Sequence, residues 1–287
     1  RPSRPRDLPL PVRRRCQMLI RGRREFVTGL LEKPYALLGI VEPAFLQIPA
    51  EILICAMRDH QKYFHLVDER GQLLPKFITV SNIRSKQPAR VRQGNERVLQ
   101  ARLSDARFFW DEDRRRTLES RIADLERVTF HHELGSLWDK TDRLIELAGH
   151  LARLLGENAD SCHRAAQLCK ADLVTDMVGE FPDLQGVMGR YYAIHDGEKK
   201  AIGRAIEEHY HPRHAGDALP QSKVGRILAV ADRIYSLVGL FAVGELPSGD
   251  IDPYALRRAA LGIIGILVDK NVPFDIVHLV DLIAATH

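Results

Sequence analysis

The sequence predicts an α+β protein in which a small α/β N-terminal module precedes a mostly α-helical bundle. Three observations carry that prediction. Short β-type apolar runs occupy the first third of the chain. From about Asn95 the apolar residues recur at helical spacing instead. The 287 residues, 45% of them hydrophobic, are enough to bury one large core or two smaller ones, so two domains are expected.

The opening "RPSRPRDLPLPVRRR" combines prolines with unpaired positive charge and cannot build a core. Residues 1–25 are expected to be a basic, disordered segment, or the edge of a longer chain. Residues 26–116 read as the α/β module. "YALLGIV" (35–41) suits a buried strand, and Pro49 suits the start of a helix through "AEILICAM". "KYFHLVD" and "KFITVSN" alternate across a connection containing Gly71, as in a β-hairpin. Val98, Leu99, Leu103, Ala106 and Trp110 then fall on one helical face. Leu118, Ile122, Leu125 and Val128 continue the pattern past Arg114 to Arg116. Residues 117–287 read as the helical domain. Its helices are marked by Leu144, Leu147, Leu151 and Leu154, by Val224, Ile227, Ala231 and Ile234, and by Leu256, Ala260, Ile263 and Leu267.

Charge narrows the function classes only slightly. The formal net charge is +4 with 28% charged residues, which permits a polyanionic partner. Cys16, Cys55, Cys162 and Cys169 have no CxxC spacing, which argues against a disulfide framework and a structural zinc site and fits a reducing cytoplasm. No run approaches the ~20 apolar residues a membrane-spanning helix needs, so no membrane association is expected.

Three constellations could carry chemistry. Asp172, Asp176, His195, Asp196, His209, His211, His214 and Asp232 supply donors for a divalent ion. No HExxH-type pair places them on one helical face, however, and His209, His211 and His214 flank Pro212 in what reads as a solvated loop. Nucleophile elbows, Cys–His signatures and phosphate-cradling glycine loops are absent from the sequence, so no catalytic residue is expected. The third is basic and aromatic: Arg84, Arg90, Arg92, Arg97, Arg102 and Arg107, with Lys86 and the amides of Asn82, Gln87, Gln93 and Asn95, lead into Phe108, Phe109 and Trp110. Arginines can grip phosphates and an exposed aromatic can stack on a base. The alternative is a solvated helix face with Phe109 and Trp110 in the core.

Several strings, in order, resemble the β subunit of the two-subunit bacterial glycyl-tRNA synthetase: "MRDHQKYF" (57–64), "LLPKFITVSNI" (73–83), "GNERVLQARLSDARFFWDED" (94–113), "LGSLWDK" (134–140), "KADLVTDMVGEFPDLQGVMGRYYA" (170–193), "AIEEHY" (205–210) and "DPYALRRAALG" (252–262). The resemblance runs from about Phe26 onward. "LLEKP" departs from it, with Lys33 where the family usually has tryptophan. It implies a component of glycine–tRNA ligase that binds glycine tRNA and the α subunit in an α2β2 assembly. The adenylate-forming site, with its ATP and Mg2+, would lie on α, leaving no cofactor and no complete active site here. It further implies that 26–116 is the end of a B3/4-like module, that 117–287 is an HD-like domain, and that the chain is an interior piece of a longer subunit or a degraded relative.

HD phosphohydrolases hold a metal through a first histidine, a His-Asp dipeptide and a later aspartate. The corresponding positions fall near Asp139 or Lys140, at Ala171-Asp172 and at Asp232, so the resemblance marks Asp139, Asp172 and Asp232 as remnants of a degenerate site with no metal expected. His195-Asp196 then reads as a helix-end cap. Arg190, Arg257 and Arg258 join the RNA-contact candidates. The rival readings are a metal-dependent HD phosphohydrolase acting on nucleotides and a purely structural remnant.

Overall fold

The computed structural model describes residues 32–269 together with 277, 280 and 283. The expectation for residues 1–25 lies outside the described residues. The fold is α+β: two small antiparallel sheets accompany a chain that is otherwise mostly helical. Packing divides it into two units, one ending at Glu112 and one beginning at Asp113.

The first unit is built on a three-stranded sheet in the order β1-β3-β2, with β1 Tyr35–Ile40, β2 Phe64–Val67 and β3 Leu73–Ser81. Both pairings are antiparallel, and Gly71 sits at positive φ in the connection between β2 and β3. The expected hairpin therefore forms. Between β1 and β2 lies the short helix α1, Ala50–Cys55, with Pro49 at its N-cap. Phe77 of β3 is fully buried and stacks on Tyr63 with ring centroids 4.8 Å apart.

Helix α2 spans Pro88–Asp113, starting before the Asn95 at which apolar periodicity becomes visible. The preceding turns are polar because they face water, so they carry no hydrophobic signal. Leu99, Leu103 and Ala106 form its buried face, whereas Val98 is 48% exposed and does not join them. Tyr63 Oη donates to Asn95 Oδ1 at 2.6 Å and Asn95 Nδ2 donates to the Val91 carbonyl at 2.8 Å.

The second unit continues not as another α-helix but as a 3-10 stretch, Glu119–Arg127. It leads into the small β4/β5 ribbon, Thr129–His131 and Gly135–Ser136. Ser136 and Asp139 then form a reciprocal capping box that starts helix α3, Leu137–Leu154. Helix α4 covers Ala159–Leu168, and the short α5, Asp176–Glu180, and α6, Val187–His195, follow. Helices α7, Lys200–Glu208, α8, Lys223–Ala242, and α9, Leu256–Asp269, complete the unit. The core sits among α3, α4 and α8, where Leu144, Leu151, Cys162, Ala165, Leu228 and Ala231 are essentially inaccessible to water.

Among the described residues no helix is long and apolar enough to cross a membrane. Cys55, Cys162 and Cys169 are buried thiols.

Candidate functional site

The centre of the helical unit is charged. Lys140 on α3, Asp232 on α8 and His209 at the C-cap of α7 all stand on the apolar stripes of their helices: Lys140 one turn before Leu144, Asp232 one turn after Leu228, and His209 two turns after Ile202. Lys170 enters from the segment after α4. The Lys140 ammonium lies 2.8 Å from Asp232 Oδ1 and the Lys170 ammonium 2.8 Å from Asp232 Oδ2.

Each ammonium is completed by a further acceptor and an aromatic face. Lys140 donates to Ser236 Oγ at 2.8 Å and lies 4.3 Å from the centre of the Phe130 ring. Lys170 sits 2.9 Å from His209 Nε2 and 4.5 Å from the centre of the Tyr210 ring. His209 Nδ1 is 2.6 Å from the Ile206 carbonyl oxygen, and only an N–H can be shared with a carbonyl. The ring is therefore the neutral Nδ1–H tautomer, with its Nε2 lone pair turned to Lys170.

The electrostatics agree with this arrangement. Burial, and then the Lys170 charge, hold the His209 imidazole well below its ordinary range. For Asp232, burial opposes ionisation, yet the two lysines outweigh it and keep the carboxyl well below the usual value. Burial also opposes charge on Lys170, but Asp232 prevails and raises it, whereas Lys140 is lowered by burial.

A divalent ion does not fit these residues. The carboxylate and the imidazole nitrogen that would coordinate it already face ammonium groups, and a second cation in that space would be repelled at close range. The sequence reading of His209 as a solvated loop residue is corrected: it is fully buried, because α7 extends to Glu208 and carries the ring inward.

The two other aspartates that the resemblance marks, Asp139 and Asp172, serve as helix caps. Asp139 Oδ2 accepts from the backbone and hydroxyl of Ser136, both at 2.7 Å. Those bonds hold its carboxyl below the ordinary range. Lys140, rather than Asp139, is therefore the residue beside Asp232. Asp172 is fully buried, and its Oδ2 accepts from the backbone N–H groups of Gly186 at 2.6 Å and Gly189 at 3.0 Å. It thereby places a negative charge at the start of α6. A side chain at Gly189 would collide with Ile206 and crowd this carboxylate. Asp172 Oδ1 has no partner among the described residues, and burial pushes the carboxyl up to about 6.

Asp113, which the sequence reading did not single out, caps α5 in the same way. It accepts from the backbones of Asp176 and Met177, both at 3.0 Å, and from Tyr192 Oη at 2.9 Å. Asp196 accepts from the Leu118 backbone at 2.7 Å beside an exposed His195.

The candidate RNA-contacting arginines divide by surroundings. At about 100° per residue, Arg90, Arg97 and Phe108 share the side of α2 opposite its buried face, and Phe108 is 62% exposed. Arg92 and Arg107 make exposed i,i+4 pairs with Glu96 and Asp111 at 3.7 and 3.9 Å, contacts worth little in water. Arg84 is exposed near the Tyr35 ring and Arg102 is half-buried. Arg190 is held inside the helical unit by Glu207 at 2.8 Å. Arg257 and Arg258 are exposed at the start of α9, where Arg257 donates to the Gly249 carbonyl at 2.5 Å and Arg258 to the Arg213 carbonyl at 3.4 Å. Phe109 and Trp110 are half-buried.

A family described as glycyl-tRNA synthetase beta subunit matches residues 23–287. The chain belongs to that family. It is 52% identical over 254 residues to the glycine–tRNA ligase beta subunit of Janthinobacterium sp. (strain Marseille), covering 88% of this chain and 36% of that protein. It is 52% identical over 256 residues to the one from Polaromonas naphthalenivorans, with 88% and 36% covered. For Chromohalobacter salexigens the figures are 50% over 261 residues, with 91% and 38% covered. The chain thus spans a little over a third of the length of these relatives. The family match takes in both the basic face of α2 and the lysine-clamped aspartate.

Two outcomes follow. Asp232→Asn strips both ammonium groups of their shared counter-charge and should cost about 3–5 kcal/mol of unfolding free energy in urea titrations; an unchanged midpoint would show that the clamp carries no stability. Asp172 has a folded-state pKa above its unfolded value, so the stability linked to its protonation is complete below about 3.8 and is lost as pH rises to about 6. Asp172→Asn should therefore flatten the fall in stability across that window, read from melting temperatures between pH 4 and 7.

Proposed function

We propose that this chain is the tRNA-binding and assembly part of a glycine–tRNA ligase β subunit. It supports ATP-dependent attachment of glycine to its tRNA in the cytoplasm, within an α2β2 assembly. The adenylate-forming site, with its ATP and Mg2+, belongs to the α subunit, and this chain holds no cofactor. The observation that carries the reading is the 52% identity over 254 residues to a protein of that name.

The surfaces support a binding role. Arg90 and Arg97 stand on the solvent face of α2 with exposed Phe108, a combination suited to phosphates and a stacked base. Arg84, Arg257 and Arg258 are further exposed candidates. Arg190, with its carboxylate partner, is better suited to holding α6 against α7. The helical unit is read as an HD-like domain retained as a docking body. Hydrolysis by such a domain would need a metal-activated water, and two lysines face the carboxylate that would hold the ion. No observation favours the phosphohydrolase reading.

The test is a pull-down with the glycyl α subunit and a filter-binding titration with glycine tRNA. Binding should weaken as salt rises, and replacing Arg90 and Arg97 with Gln should lower the salt slope by about one for each phosphate contact removed. Failure to retain either partner would overturn the proposal.

A further inference from the structure

The flank of α3 carries a second charged feature, a cavity of about 520 Å3 lined by Arg143, Leu147, His150, Arg153, Tyr235 and Ile283. Its volume is in the range of small-molecule sites, about 300–1,000 Å3. The four α3 residues recur every three or four positions, so one helical face supplies most of the wall.

Among the described residues the positive charge here is only partly offset. Two other arginines of the helical unit are held by carboxylates: Arg164 by Glu119 and Glu198 at 2.8 and 2.6 Å, and Arg204 by Glu208 at 2.7 Å. Among the described residues Arg143 and Arg153 form no carboxylate salt bridge, although the Asp139 charge acts on Arg143 across one helix turn. Glu146 also lines the cavity, so two guanidinium groups share the lining with one carboxylate. Arg143 is held in place from behind, its Nη1 donating to Tyr235 Oη at 2.9 Å, which leaves the other donors of its planar fork available. His150 Nε2 is buried and without a hydrogen-bond partner among the described residues, an unfavourable arrangement that a bound group would relieve. Leu147 and Ile283 supply an apolar surface.

We propose that this cavity binds a phosphomonoester with a nucleotide-sized organic body. Two fork-shaped cations match a phosphate dianion of charge about −1.5 to −2. The apolar wall and the volume exceed what inorganic phosphate alone would fill. The proposal goes beyond the tRNA-binding reading and does not depend on it. The phosphate could belong to a free mononucleotide or to the end of an RNA strand.

Calorimetric titration of the full chain distinguishes the sources, using AMP, adenosine, inorganic phosphate, and a short RNA with and without a 5′-phosphate. AMP should bind saturably in competition with phosphate, and adenosine should not bind. Arg153→Gln should weaken AMP at least tenfold, about 1.4 kcal/mol, with an unchanged melting curve, whereas Arg127→Gln should not. Arg143→Gln should do the same, with a melting curve to show that loss of the Tyr235 bond leaves the fold intact. AMP binding without preference for the phosphorylated RNA assigns the site to a free nucleotide; preference for the phosphorylated RNA assigns it to a strand end. Absence of saturable binding by both AMP and the phosphorylated RNA, or an affinity unmoved in Arg153→Gln, would overturn the proposal.

Discussion

A carboxylate held between two ammonium groups fixes the centre of the helical unit. Asp232 draws Lys140 from α3 and Lys170 from the end of α4 toward α8, and Lys170 in turn takes the lone pair of His209 at the end of α7. Burying three charges is expensive unless each finds partners. Here each ammonium has two polar acceptors and a ring face, and Ser236 Oγ donates in turn to the Asp232 backbone carbonyl at 2.7 Å. The energetic consequence is mutual dependence. Removal of any one charge leaves the others stranded in a poorly solvated interior, so the four segments are positioned jointly rather than in pairs.

The same logic explains why carboxylates that look like metal ligands in the sequence do other work. Asp139, Asp172 and Asp113 each accept backbone N–H groups at a helix start. Short helices such as α5 and α6 leave a large share of their amides without intrahelical partners, and a buried carboxylate satisfies two at once. The crowded stretch from Lys170 to Asp196 is thus a set of brief helices pinned by anions, with Gly186 and Gly189 allowing Asp172 to approach. Lys170 neutralises part of that negative charge. These features favour a rigid body that presents surfaces over one that rearranges around a substrate.

Much of this architecture was legible in the sequence. The β2–β3 hairpin, the Pro49 helix start and helices α3, α8 and α9 follow from alternation, proline placement and apolar spacing, because each depends on residues close in the chain. The polar first turns of α2 were not legible, since a helix face turned to water has no periodicity of apolar residues. Nor was the 3-10 character of Glu119–Arg127, whose apolar spacing imitates an α-helix. The resemblance marks Asp172 and Asp232 as remnants but does not reveal their partners. Lys140 and His209 lie on the apolar stripes of α3 and α7. A charged or titratable residue in such a stripe was the available signal, and only the tertiary packing shows which residue answers it.

Lysine ammonium groups stand where a metal-binding centre would need room for an ion. The most direct measurement is metal content after exposure of the purified chain to excess Mn2+, Fe2+ or Zn2+ and dialysis. The account predicts far less than one equivalent retained, with no change on Asp232→Ala. One equivalent of any of these ions, lost when Asp232 is replaced, would contradict it.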